Sequence, residues 1–182
     1  ELAEQDLQQA LKDAPAAWPL TRRLTTRLLQ LEAKLAGGRF DEVRSGLAAI
    51  EKERPGMQGA AVISARLSLL EGRPGEAADK LTPVVEALPD NDWLEALMID
   101  ALIQSGSRVR AQEMLERRVS EDPLDLSARW TLASLMQQQG RPDRVIDLLG
   151  EVEGQELLDT QGLGDLLDTA RQTQAQAAAT VS

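Results

Sequence analysis

The sequence predicts an all-α fold, a solenoid of helix-turn-helix repeats, and three observations predict it. Gly38, Gly72, Gly106 and Gly140 stand 34 residues apart without drift. Pro55, Pro89 and Pro123 follow the same period, each 17 residues after the preceding glycine. A fixed period of this length is the signature of a repeat architecture built from one supersecondary unit, here a helical hairpin. Composition agrees: 42% of residues are hydrophobic and only 2% aromatic. Leu and Ala dominate the apolar content, and both are strong helix formers, whereas sheets favour Val, Ile, Thr and aromatics.

Each unit reads as a first helix, a tight turn at glycine, a second helix and a proline-bearing turn. Residues 1–17 read as the second helix of a truncated repeat plus its turn. Residues 18–57 form a repeat with an extended first helix, residues 58–91, 92–125 and 126–155 three more repeats, and 156–182 a C-terminal capping helix with a frayed tail. In the unit at 58–91, Val62, Ile63, Ala65, Leu67, Leu69 and Leu70 supply the apolar face of the first helix. Gly72 ends that helix, because glycine tolerates the left-handed conformation at a helix C-terminus. Pro74 follows where the first helical turn accepts proline. The second helix carries Ala77, Ala78, Leu81, Val84, Val85 and Leu88, and Pro89-Asp90-Asn91 closes the unit. The second helices share a signature: Val43, Ala77, Ala111 and Val145 are period mates, as are Leu47, Leu81, Leu115 and Leu149. The small set permits close approach of paired helices, and the large set fills the space between units. Counting back from Pro15, Ala3, Leu7 and Ala10 fall on the same signature. Leu2, Leu7, Ala10 and Leu11 are therefore expected to pack as the second helix of an incomplete repeat. Its open N-terminal edge is expected to be covered in a longer array or by a second copy of the chain. At the other end, Leu157, Leu158, Leu163, Leu166, Leu167 and Ala170 suggest amphipathic pieces interrupted by Gly162 and Gly164. The tail from Gln172 has little to bury and is expected to fray.

These features together resemble the tetratricopeptide repeat family: the unit length, the turn glycine, the small-then-large pair four residues apart in the second helix, and the terminal proline. The resemblance covers residues 24 to 153. Ala65 and Ala133 match the family's small residue in the second half of the first helix, while Leu31 and Ile99 stand at the corresponding places and depart from it. The resemblance implies a right-handed α-solenoid that binds proteins or peptides and needs no cofactor. It also implies that the first helices line an inner groove. By register the groove residues are Leu28, Glu32, Val62, Arg66, Trp93, Ala96, Asp100, Ser127, Trp130, Ser134 and Gln137. The family's best-known peptide mode clamps a terminal carboxylate with Lys, Arg and Asn. This chain has Leu28, Glu32, Ile63, Trp93 and Leu97 at those places, which points to an apolar peptide or helix instead. Trp93, near a helix start, reads equally as an exposed groove residue or as packing. Trp130, in mid-helix, reads more as a filler between stacked helices, and Trp18 as packing for the extended first helix.

Charge and composition narrow the function classes. The net charge is −10, which disfavours binding to nucleic acid phosphates and to anionic membrane surfaces. No apolar run approaches the ~18 residues that cross a bilayer, so no direct membrane insertion is expected. The chain has no cysteine and no histidine, removing thiolate chemistry, the commonest general base and the commonest metal ligands. Acidic pairs such as Asp41-Glu42 and Glu121-Asp122 sit at helix starts and turns, where carboxylates cap helices or oppose the dipole. Asp90-Asn91-Asp92 lacks the further ligands of a calcium loop. Gly162-Leu163-Gly164 lacks the lysine of a phosphate loop, and no clustered Ser-Lys pair is visible in the sequence. The expectation is a non-enzymatic interaction scaffold without metal or cofactor. It is read as a segment of a larger bacterial assembly protein in envelope biogenesis, polysaccharide export, pilus assembly or secretion, with self-association or regulation of an attached enzyme as rival roles. Lack of cysteine fits an oxidising compartment, which places a periplasm or cell envelope slightly ahead of the cytoplasm.

Overall fold

The structure, a computed structural model, describes residue 9, residues 20–151 and residues 162–181. Among the described residues every regular element is an α-helix, so the expected all-α fold is the one the chain adopts. The expectations for Leu2, Ala3, Leu7, Ala10, Leu11, Trp18, Leu157 and Leu158 lie outside the described residues. The chain divides into two compact units, Glu1–Gly106 and Ser107–Ser182, and each is described by itself.

The first unit contains α1 (Leu20–Ala36), α2 (Phe40–Glu53), α3 (Gln58–Leu70), α4 (Pro74–Ala87) and α5 (Asp92–Gln104). Within it α2 packs on α1 and α3, α1 also meets α3, and α4 lies against α3 and α5. The second unit contains α6 (Arg108–Glu121), α7 (Leu126–Gln138), α8 (Pro142–Gly150) and α9 (Leu163–Val181). There α7 packs on α6 and α8, and α9 on α8 and α7.

The turn glycines explain the sharp reversals. Gly72 has φ +71°, a conformation that costs a side chain energy and glycine almost nothing. The turn it makes satisfies two carbonyls at the end of α3: Arg73 N–H donates to Ser68 O at 2.8 Å and Gly72 N–H to Leu69 O at 3.0 Å. This pair of bonds is the Schellman arrangement. It recurs after α1, where Arg39 N–H reaches Lys34 O, and after α7, where Arg141 N–H reaches Met136 O.

Between the helices the small-then-large signature does the packing. Val43, Ala77, Ala111 and Val145 are all completely buried, and Leu47, Leu81, Leu115 and Leu149 are buried beside them. Leu31 is large where the repeat pattern has a small residue. It is buried because α2 carries Gly46 opposite: a Cβ built at Gly46 would lie 2.3 Å from Leu31 Cδ2. At the C-terminal end, Leu163, Leu167 and Ala170 form one buried stripe of α9. Beyond Gln172, α9 continues to Val181. Ala and Gln are good helix formers even where they bury nothing.

Candidate functional site

The first unit carries equivalent stripes on three helices, and parts of each line one trough. The residues are Thr25, Leu28, Leu29 and Glu32 on α1, Gly59, Val62, Ile63 and Arg66 on α3, and Trp93, Ala96, Leu97 and Asp100 on α5. Spacing at i, i+3, i+4 and i+7 puts each set on one face of its helix. The trough has a volume of about 440 Å³. Its walls are Thr25, Leu28, Leu29 and Glu32 from α1, and Gln58, Gly59, Val62 and Ile63 from α3. Val84 and Leu88 close it from the α4 side, and Asn91, Trp93 and Leu94 from the start of α5.

Local sequence sets this shape. Gly59 lets α3 come close to α1, since a Cβ there would lie 2.8 Å from Leu28 Cδ1. Asn91 caps α5: its side-chain Oδ1 accepts a hydrogen bond from Leu94 N–H at 3.0 Å. The cap starts the helix at Asp92 and so places Trp93 in its first turn. Trp93 is 54% exposed, Leu29 52% and Leu88 41%. Three large apolar side chains are thus presented to solvent around one depression. Glu32 and Arg66, one repeat apart, form a hydrogen-bonded ion pair. Both partners are about a third exposed, so the pair adds little stability, but it leaves the α1–α3 side of the trough near neutral.

Of the eleven residues expected in the groove, Leu28, Glu32, Val62 and Trp93 line this trough, and Arg66 adjoins it through Glu32. Ala96 and Asp100 are exposed on α5 on the face of Trp93 but outside the lining. Ser127, Trp130, Ser134 and Gln137 share one face of α7 in the second unit. Trp130 is 43% exposed, so its expected role as a packing filler fails: its neighbours Ala128, Arg129, Leu132 and Ala133 fill the interior instead. Sequence reasoning missed Leu29 and Leu88 as site residues. Leu29 was within reach, because it is the period mate of Ile63 and Leu97. Leu88 enters from the turn after a second helix, which a first-helix register does not index.

Two other features are weaker candidates. A hollow of about 480 Å³ between α1 and α2 is edged by Arg27, Lys34, Asp41 and Glu42. Its charges pair within the unit, Lys34 with Glu42 at 2.9 Å and Arg27 with Glu53, and its floor residues Leu31 and Ile50 are already buried. The second feature is a Ser-Lys pair that the sequence did not reveal. Lys80 Nζ donates to Ser68 Oγ at 2.7 Å across the α3–α4 turn. Ser68 is completely buried, and a nucleophile must meet its substrate, so the pair serves to satisfy two polar groups inside the hairpin. Among the described residues no cluster of acidic side chains could hold a metal ion, and no helix is long and apolar enough to cross a membrane.

Residues 68–128, from the end of α3 through the start of α7, match the tetratricopeptide repeat family. Over that stretch the chain matches tetratricopeptide repeats. Solved structures agree at the level of fold. A tetratricopeptide repeat protein from Parabacteroides merdae superposes with a TM-score of 0.71 at 15% identity, covering 98% of this chain and 68% of its own. One structure of MamA protein gives 0.62 at 17% identity, covering 84% of this chain and 88% of its own. A second gives 0.58 at 15%, covering 81% and 96%. No curated protein sequence matches the chain. At such identities the likeness establishes the repeat fold.

Proposed function

We propose that this chain is a non-catalytic scaffold whose partner lays an apolar peptide or helix into the trough of the first unit. The observation that carries this reading is the convergence of exposed Trp93, Leu29 and Leu88 on one depression floored by Leu28, Val62 and Ile63. Exposed apolar groups gathered in this way mark interaction surfaces, whereas single ones scattered over a surface do not. Apolar burial supplies most of the affinity, at about 25 cal/mol per Å² before the costs of association. Charges set register and on-rate. The α7 face with exposed Ser127 and Trp130 and half-buried Ser134 and Gln137 extends the same role to the second unit. We place the scaffold in a bacterial assembly of the envelope, export, pilus or secretion type, on the Ala-, Leu- and Arg-rich character of the chain and its likeness to a repeat protein of a bacterium.

The test is a pull-down with the intact protein, followed by crosslinking of the captured partner and by binding measurements on variants. Val62→Asp should abolish capture, because it puts a charge on the floor of the trough. Glu116→Ala, on the exposed face of α6, should leave it unchanged. Binding should survive a rise from low to moderate salt, since screening weakens exposed ion pairs far more than apolar contact. Crosslinks confined to α2 surfaces, or to the N-terminal edge, would defeat the assignment.

A further inference from the structure

Resting on the reading of the trough as the partner site, we infer that the partner segment is cationic as well as apolar. Its Lys or Arg residues lie over the Trp93 end. Between Lys80 and Arg108 the chain has no basic residue and five acids, Glu86, Asp90, Asp92, Glu95 and Asp100. Glu95 is buried and the other four are exposed. Asp90 and Asp92 belong to the turn that joins Leu88 to Trp93, two of the exposed apolar residues of the trough. Asp100 stands two turns along α5 on the same face as Trp93. On the α1–α3 side the one lining carboxylate, Glu32, pairs with Arg66. Exposed carboxylates are therefore gathered at one end of the trough, beside an indole that is 54% exposed.

Both features select for a cation. Carboxylates near a low-dielectric apolar wall attract positive charge and repel a like charge. The face of an exposed indole attracts Lys and Arg through its quadrupole, best of all the aromatic side chains. A segment with apolar side chains on one stripe and basic residues flanking that stripe satisfies the trough, the acids and the ring together. An acidic segment would gain the same apolar contact against a repulsive field.

Three synthetic amphipathic peptides with one Leu/Ala face and flanks of Lys, Gln or Glu test this on the full chain by calorimetric titration. The Lys peptide should bind about three- to tenfold more tightly than the Gln peptide at low salt, and the Glu peptide more weakly, as expected for a few exposed charge pairs. The gap should close in moderate salt and in the triple variant Asp90→Asn, Asp92→Asn, Asp100→Asn, whose altered side chains are all exposed. Should the triple variant prove unstable, the single reversal Asp90→Lys should narrow the gap. Trp93→Ala should weaken all three peptides, and the Lys peptide most. Equal affinities, or a preference for Glu, would overturn the cationic partner while leaving an apolar trough site standing. Failure of all three peptides to bind, or binding untouched by Trp93→Ala, would remove the trough site and the cationic partner with it.

Discussion

Asp125 caps the start of α7 with both carboxylate oxygens engaged. Its Oδ1 accepts from Ala128 N–H at 2.9 Å, and its Oδ2 accepts from Arg118 Nη2 at 2.5 Å and Nε at 3.1 Å. Partial burial alone would raise its pKa, but the Ala128 N–H and the Arg118 guanidinium outweigh that and hold it below the ordinary 3.8. A carboxylate with a depressed folded pKa contributes stability above its unfolded value and loses it as pH falls through the folded value. The contribution should therefore be whole well above pH 3.8 and be lost progressively as the pH falls below it and through the lowered folded value. Asp125→Asn keeps a good cap but cannot titrate. In urea unfolding of wild type and variant, the wild-type advantage seen at neutral pH should shrink as the pH is lowered through the acid range, and parallel loss in both would contradict the assignment. Residues of this kind divide by how local their partners are. Asn91 and Asp125 precede their helices and are legible as caps in any sequence. Arg129 is not: it is 2% exposed and binds Pro123 O at 2.7 Å, Leu148 O at 2.5 Å and Glu151 at 2.9 Å. An arginine between Ala128 and Trp130 carries no local sign that carbonyls 6 and 19 residues away will converge on it.

Leu31 and Gly46 make the corresponding point for whole helices. The second helices were readable because their small-then-large signature lies within one turn of one helix. The departure at Leu31 was readable too, but its remedy sits 15 residues later on the next helix, across a turn. A Cβ at Gly46 meets the end of the Leu31 side chain, not backbone, so the clash is soft. Overpacking of this kind costs about 1–3 kcal/mol, and Ala gains about 1 kcal/mol over Gly in a helix. Gly46→Ala alone should then destabilise the chain by roughly 1 kcal/mol. With Leu31→Ala already in place the same substitution should stabilise it by up to about 1 kcal/mol, because only the helix propensity remains. Chemical denaturation of the four proteins measures the cycle. A Gly46→Ala effect of the same sign and size in both backgrounds would mean that Leu31 is not what Gly46 accommodates.

At the scale of the molecule, stability should follow the order of helix contacts. In a repeat protein each element touches mainly its sequence neighbours, so stability approximates a sum of unit and neighbour terms. Leu81 is completely buried on α4, which packs on α3 and α5. Leu115 is equally hidden on α6, which packs on α7 in the second unit. Removing either to alanine leaves a cavity costing about 2–5 kcal/mol. Were the chain one undivided cooperative core, either cavity would lower protection everywhere alike. A nearest-neighbour array predicts two different maps. In Leu81→Ala, amide exchange should quicken in α3, α4 and α5 while α8 and α9 keep their protection. In Leu115→Ala, the loss should fall on α6 and α7 and spare α1 and α2. The trough draws on α1, α3 and α5, so Leu81→Ala should also loosen the Trp93 wall and weaken partner binding, although Leu81 does not line the trough. Leu115→Ala, in the second unit, should leave that binding within a factor of about two, the residue of coupling expected between sites that share no partners. Exchange profiles of the two variants that coincide along the chain, or equal losses of binding, would show that the repeats do not act as neighbouring units.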